Sequence, residues 1–149
     1  MAYAKESGFH FREIKGNLFS CEKDTSLAHC ISADVHMGKG IATTFKKMFG
    51  GVDELRRQGG KPGDVSMLQR DERCIYYLVT KARYFHKPTY ETLRSSLQAM
   101  KQHCEEHDVK KLAMPRIGCG LDRLDWSKVR EMIKRIFQET NIELIIYTL

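Results

Sequence analysis

The chain has 149 residues, with 25 lysines and arginines against 19 aspartates and glutamates, a formal charge of +6 and a pI near 9.1. With 42% hydrophobic and 30% charged residues, usage is that of an ordinary globular protein; this excludes wholesale disorder and collagen-like repeats and makes one domain the expectation. No run approaches the ~20 apolar residues of a membrane helix, nothing near Met1 to Arg12 resembles a cleaved leader, and five cysteines (Cys21, Cys30, Cys74, Cys104, Cys119) without a CxxC pair argue for a reducing compartment rather than a disulfide framework or zinc site.

Residues 1–8 carry no periodic signal and read as a flexible tail before a single domain over 9–149. Phe9, Phe11 and Glu13 alternate with His10 and Arg12, a strand that closes at Gly16-Asn17. SLAHCIS at 26–32 suits a buried strand. Gly38-Lys39-Gly40 opens a helix with Ile41, Phe45 and Met48 on one face, ended by Gly50-Gly51, and a short helix follows from Val52 to Gln58. Six turn-rich residues, 59–64, make a surface connection. Val65 to Leu68 and Cys74 to Thr80 then read as a hairpin around Arg70-Asp71-Glu72-Arg73. The stretch CIYYLVT is nearly all β-branched, aromatic or apolar, as a strand covered on both faces requires.

Leu93, Leu97, Met100 and Cys104 form one apolar helical stripe, with Thr89 as its N-cap and Glu91 in the first turn. Lys111 to Pro115 is a strand, Arg116 to Leu124 a glycine-containing loop, and Asp125 caps a last helix carrying Trp126, Val129, Ile133, Ile136 and Phe137 on one face. Ile142 to Tyr147 closes the chain as a buried strand. The alternation of strands and helices predicts a mostly parallel sheet between helices, a three-layer α/β/α sandwich, with ligands at the carboxyl ends of the strands.

Two glycine loops occupy such positions, Gly38-Lys39-Gly40 and Gly118-Cys119-Gly120. Glycine lets backbone amides approach a phosphate closely, and a helix N-terminus adds favourable charge. Each loop alone is equally a tight turn, but two at one sheet edge of a basic protein point to a diphosphate. Neither fits a P-loop, and no GxGxxG is present. Lys81 follows CIYYLVT directly; a lysine partly desolvated at a strand mouth has its pKa lowered and becomes a usable nucleophile. Asp122, at another strand mouth, can move protons or orient that amine. The same two charges can also be an ion pair closing the sheet, or two solvated side chains. Cys119 has no base assignable from sequence and reads as a small packing residue. His10, His29, His36, His86, His103 and His107 show no metal-ligand spacing, and His103 and His107 sit beside Glu105 and Glu106 on a solvated face. The pairs Lys46-Lys47 and Arg56-Arg57 read as solubilising surface.

The segments GNLF (16–19), SLAHCIS (26–32), MGKGIA (37–42), FKKMFGG (45–51), YYLVTK (76–81), HKPTYE (86–91), MPRIGCGLDRL (114–124) and YTL (147–149) together resemble the macrodomain family, and within it the small ADP-ribose hydrolases. The resemblance implies a mixed six-stranded sheet with ADP-ribose in a cleft at one end. It implies contacts from Asn17 and Leu18 at the adenine, from Ser32, Gly38 and Gly40, from the loop Arg116, Ile117, Gly118, Cys119, Gly120, Leu121 and Asp122 around the diphosphate and distal ribose, and from Leu149. Asn17 stands where the family commonly has aspartate, which removes the charge-assisted part of adenine recognition. The resemblance further implies a glycohydrolase that frees mono-ADP-ribose from glutamate side chains and deacylates O-acyl-ADP-ribose, with Lys81 as nucleophile and Asp122 as general acid/base. It would need no cofactor and no metal.

The expected partners are ADP-ribose and ADP-ribosylated proteins, the expected state a monomer, and the expected residence nucleus and cytoplasm. A non-catalytic reader of ADP-ribose or poly-ADP-ribose is the alternative. A basic nucleic-acid module ranks behind both, because no RNP-like aromatic motif or helix-turn-helix pattern accompanies the charge.

Overall fold

The computed structural model describes residues 8–119 and 122–148. The expected tail falls outside these residues except for Gly8, whose amide donates to Asn141 Oδ1 at 3.3 Å. Gly120, Leu121 and Leu149 also lie outside the described residues.

Ten regular elements follow in the expected order: β1 (His10–Lys15), β2 (Ser26–Ser32), α1 (Ile41–Phe49), α2 (Val52–Gln58), β3 (Val65–Arg70), β4 (Arg73–Lys81), α3 (Tyr90–Glu106), β5 (Lys111–Pro115), α4 (Trp126–Phe137) and β6 (Glu143–Thr148). β1 begins later and runs further than its alternation suggests, because it is zipped in register onto β6, from His10 opposite Glu143 to Lys15 opposite Thr148. Arg70 and Arg73 are paired within the β3–β4 ladder, so that hairpin turns on Asp71-Glu72 alone. A 3₁₀ turn over Leu18–Ser20, unmarked by any periodicity, follows β1.

The sheet runs β1-β6-β5-β2-β4-β3. Every neighbouring pair is parallel except β3–β4, so the sheet is mixed through its edge hairpin alone. The carboxyl ends of β1, β2, β4, β5 and β6 therefore share one edge. Alternation along β4 sends Cys74, Tyr76 and Leu78 toward α3 and α4, and Ile75, Tyr77 and Val79 toward α1 and α2. Burial on both faces makes this central strand almost wholly apolar. Fully buried Phe45 from α1 and Phe137 from α4 anchor the two outer layers, each worth roughly 1.5–3 kcal/mol of apolar burial. Met48 does not join the expected α1 stripe: it is 47% exposed, and Phe49 packs beside Phe45 instead.

α3 starts where the sequence indicates. Thr89 Oγ1 accepts from the Thr92 amide at 3.0 Å, and Thr92 Oγ1 returns the contact to the Thr89 amide. The Thr92 hydroxyl also donates to the Thr80 carbonyl at 2.8 Å, and Ser96 Oγ donates to the Val79 carbonyl at 2.9 Å. The helix is thus stapled to the last turn of β4, immediately before Lys81.

His103 departs from expectation. It is half-buried, and its Nδ1 lies 2.8 Å from the hydroxyl of fully buried Tyr76. That phenol must have a partner inside the protein, and an imidazole one turn from the helix end supplies it. Burial, reinforced by the charge of His107, lowers the His103 pKa.

Candidate functional site

Lys81 is the last residue of β4. Its own carbonyl accepts the Ala33 amide at 2.8 Å, so β2 and β4 are still clamped together where the side chain leaves the sheet. Asp122 comes from the loop after β5. Lys81 Nζ donates to Asp122 Oδ1 at 2.7 Å, and the two side chains are only 15% and 19% exposed. An ion pair closing a sheet would give the same distance. This pair stands in the wall of a cavity of about 650 Å³ that Ser32, Gly38, Gly40, Ile117 and Gly118 also line.

A second cavity, of about 860 Å³, shares Gly40, Ile41, Pro115 and Arg116 with the first. Its far walls are Asn17, Leu18, Phe19, Cys119, Trp126 and Tyr147. The two form one cleft lying across the carboxyl ends of the parallel strands, with a charged end at Lys81 and an aromatic end at Trp126. At the shared waist α1 begins at Gly40, with no side-chain cap and no acidic residue in its first turn. Amides left unpaired at such a helix start favour an anion. A wider groove of about 990 Å³ between α3 and α4 is lined by long polar side chains such as Arg94, Lys101 and Glu131 and contains neither Lys81 nor Asp122.

Family comparison agrees with this geometry. The Macro domain family matches residues 28–133. The chain belongs to the macrodomain family. Among curated relatives it is 57% identical over 142 residues to the human protein named ADP-ribose glycohydrolase OARD1, covering 95% of this chain and 93% of the relative. The bovine protein of the same name is 56% identical over equal coverage. Among solved structures, the macrodomain of Thermus aquaticus DarG superposes with a TM-score of 0.85 at 24% identity, over 95% of this chain and 99% of that one. Thermosipho africanus DarTG in complex with ADP-ribose gives 0.78 at 22% identity, over 91% of this chain and 40% of that one.

Within this macrodomain cleft, the residues named from sequence divide between the two ends. Ser32 is buried, and its hydroxyl donates to Asp34 Oδ1. Gly118 adopts φ 73°, and its carbonyl accepts the Leu124 amide at 2.7 Å, closing the loop that carries Asp122. Ile117 is buried, and Cys119 Sγ contacts the Ile117 carbonyl at 3.2 Å. Burial pushes the Cys119 thiol up to about 11, which leaves it protonated at neutral pH and fits the packing role read from sequence. Asn17 lines the aromatic end, but its Oδ1 already accepts the Phe19 amide at 2.9 Å as cap of the 3₁₀ turn. Buried Leu18 lies beside it. Among the described residues no group of three His, Cys, Asp or Glu could hold a metal.

Sequence reasoning missed three contributors. Trp126, read only as part of a helical face, lines the cleft. Its indole Nε1 donates to Glu13 Oε1 at 2.9 Å, and the Arg116 guanidinium sits 5.6 Å from the indole ring. Glu13, read only as a strand residue, also accepts from Arg130 at 2.8 Å and lies 3.8 Å from Arg116. It thereby fixes the aromatic wall from across the sheet edge. Tyr147, at the end of β6, forms another part of the wall. A tryptophan at the first position of a helix directly after a strand-end loop was the available signal.

Proposed function

We propose that this macrodomain is an ADP-ribose glycohydrolase that cleaves the ester between the distal ribose of ADP-ribose and a glutamate side chain, and likewise deacylates O-acyl-ADP-ribose. The observation that carries the reading is the 2.7 Å Lys81–Asp122 pair in the wall of a cleft made of two joined cavities of about 650 and 860 Å³. The names of the human and bovine relatives, matched over nearly the whole chain, support the activity. Trp126, Leu18 and Phe19 offer an apolar seat for adenine. The start of α1 and the amides of Ile117 and Gly118 offer donors to the diphosphate, leaving the distal ribose beside Lys81.

In the proposed reaction Asp122 takes the ammonium proton of Lys81, and the freed amine attacks the anomeric carbon. The bond from that carbon to the glutamyl oxygen breaks as Asp122 hands the proton to the departing carboxyl group. Water then adds at the same carbon, Asp122 accepts its proton, and the carbon–nitrogen bond breaks to release ADP-ribose. Proton return from Asp122 to Nζ restores the resting pair. An acyl group carried on a neighbouring ribose hydroxyl enters the same route once it has migrated to the anomeric oxygen; a carboxylic acid is a good leaving group there, so one nucleophile and one proton shuttle suffice.

Lys81→Ala abolishes ADP-ribose release from glutamate-modified protein while binding of free ADP-ribose stays measurable by calorimetry. Asp122→Ala prolongs a covalent Lys81 adduct visible in intact-mass spectra. Full turnover by Lys81→Ala overturns the nucleophile assignment, and binding without release by the wild-type protein makes the domain a reader.

A further inference from the structure

Beyond the ion pair, the charged end of the cleft opens onto a shelf of exposed rings. His36 lies over Tyr84 with centroids 4.0 Å apart and planes at 30°, Phe85 meets Tyr84 edge-on at 5.4 Å, and His86 meets Phe85 at 4.7 Å. Tyr84 is 51% and Phe85 69% exposed; with Met48 they are the exposed large hydrophobic residues among the described residues. Large apolar side chains left in water beside a cleft mark a contact surface. His36, Tyr84 and Phe85 line the same cavity as Lys81 and Asp122, at the end away from Trp126.

Rings on separate loops stay together only if something ties the loops. Asp34 does so: Oδ1 accepts from the Ser32 hydroxyl and the His36 amide, and Oδ2 accepts from the Tyr84 amide at 3.2 Å. The turn is held firmly enough to keep buried Val35 at φ 54°, a left-handed conformation that a β-branched residue rarely adopts. Lys39 and Lys87 line the same cavity, both exposed, and neither has an ion-pair partner among the described residues.

We propose that the His36–Tyr84–Phe85 shelf, clamped by Asp34, is the acceptor subsite, and that it binds the acidic polypeptide on which the ADP-ribose is carried; this rests on the glycohydrolase reading. The leaving group of that reaction is a glutamate, whose chain must continue outward from Lys81 across these rings. Unpaired cations flanking apolar rings complement a segment with further carboxylates and aliphatic stems. A nucleic-acid strand fits less well, since base stacking needs open ring faces and Tyr84 gives one of its faces to His36. Asp34 is a positioning residue, acting through the loops it joins.

The test measures kcat/KM on a glutamate-linked ADP-ribosyl peptide with acidic flanks and on O-acetyl-ADP-ribose, which has no polypeptide. Tyr84→Ala/Phe85→Ala lowers the peptide-to-acetyl ratio about tenfold, mostly through the peptide KM, as loss of an exposed aromatic anchor would. Tyr84→Phe/Phe85→Tyr restores the ratio. Asp34→Asn keeps an acceptor for Ser32 but turns an amide toward the Tyr84 N–H, so it lowers the ratio in the same direction. An unchanged ratio in the double alanine variant overturns the proposal. So does a larger loss on an ADP-ribosylated single-stranded oligonucleotide than on the peptide. If the wild type hydrolyses neither substrate, the glycohydrolase reading fails. The shelf is then judged in Lys81→Ala by binding: the ring truncations must weaken the ADP-ribosylated peptide about tenfold more than free ADP-ribose, and equal effects overturn it.

Discussion

His29 on β2 is a buried imidazole in an apolar shell. It is 1% exposed, stacked on Phe45 with centroids 3.8 Å apart, edge-on to Tyr77 at 5.0 Å, and its Nε2 has no hydrogen-bond partner among the described residues. Burial depresses its pKa from 6.5 to about 3. Because the folded value lies below the unfolded one, stability is fully present above pH 6.5 and is lost as pH falls toward 3, where the unfolded chain holds a proton the folded chain refuses. Integrated from pH 7 to pH 5, that single group costs about 2 kcal/mol, or a fall in Tm of roughly 4–8 °C for a chain of this size. His29→Phe keeps a flat ring against Phe45, removes the orphan nitrogen and does not titrate. Its melting curve, followed by circular dichroism from pH 7 to pH 5, loses about 2 kcal/mol less than that of the wild type. Parallel pH profiles for the two proteins would refute the assignment of a neutral, unpartnered His29.

Glu13 provides a second acid-sensitive tie. Burial pushes its pKa up, but the hydrogen bonds from Trp126 and Arg130 and the charges of Arg130 and Arg116 outweigh this and hold it below 4.5. Its contribution is present above pH 4.5 and fades as pH falls through the lower folded value, so Glu13→Gln is destabilised by about 1 kcal/mol at pH 7. In melts at decreasing pH that gap should close below 4.5, and calorimetry should show weaker ADP-ribose binding as Trp126 loosens. For the loop glycines, Gly40→Ala costs about 1–3 kcal/mol, because φ 59° with ψ −142° is a conformation that an L-residue scarcely adopts, although nothing lies within 4 Å of the added carbon. Gly118→Ala should also melt below the wild type and lose kcat/KM, since at φ 73° its Cβ would lie 2.9 Å from Leu124 Cδ1 in the loop that carries Asp122.

Local signals were readable because they are made by neighbours in sequence. The apolar run of β2, the glycine stop of α1 and the Thr89 cap of α3 were placed from the sequence where the structure has them, each resting on contacts within a few residues. The errors arose where a distant segment decides. β1 takes its bounds from β6, more than a hundred residues away, and alternation in 9–13 could not report that register. His103 looked solvated from Glu105 and Glu106, yet its partner is a phenol on β4. Glu13 gave no local sign of its role, because Trp126 and Arg130 lie on the far side of the chain. The strand-end rule did locate Lys81 and the loop bearing Asp122, since it depends only on strand direction, which the alternating pattern fixes.

The two charges of the site reach each other by different means, and that difference bears on which one moves. Lys81 leaves a strand end held by Ala33, by the Thr92 hydroxyl one residue back and by the Ser96 hydroxyl two residues back. Asp122 rides on a loop held, among the described residues, by the backbone bonds from Leu124 to Gly118 and from Cys119 to Arg116, in which Arg123 itself sits at φ 63°. The amine is thus anchored to the sheet, while the carboxylate depends on a strained turn. In the proposed reaction the sugar must enter against Lys81, so it is Asp122 that gives way and then follows the proton between ammonium, leaving group and water. In that proposal, a nucleophile fixed by the sheet and a carboxylate carried by a loop would let one small chain hold the reacting carbon still while its acid/base changes partner.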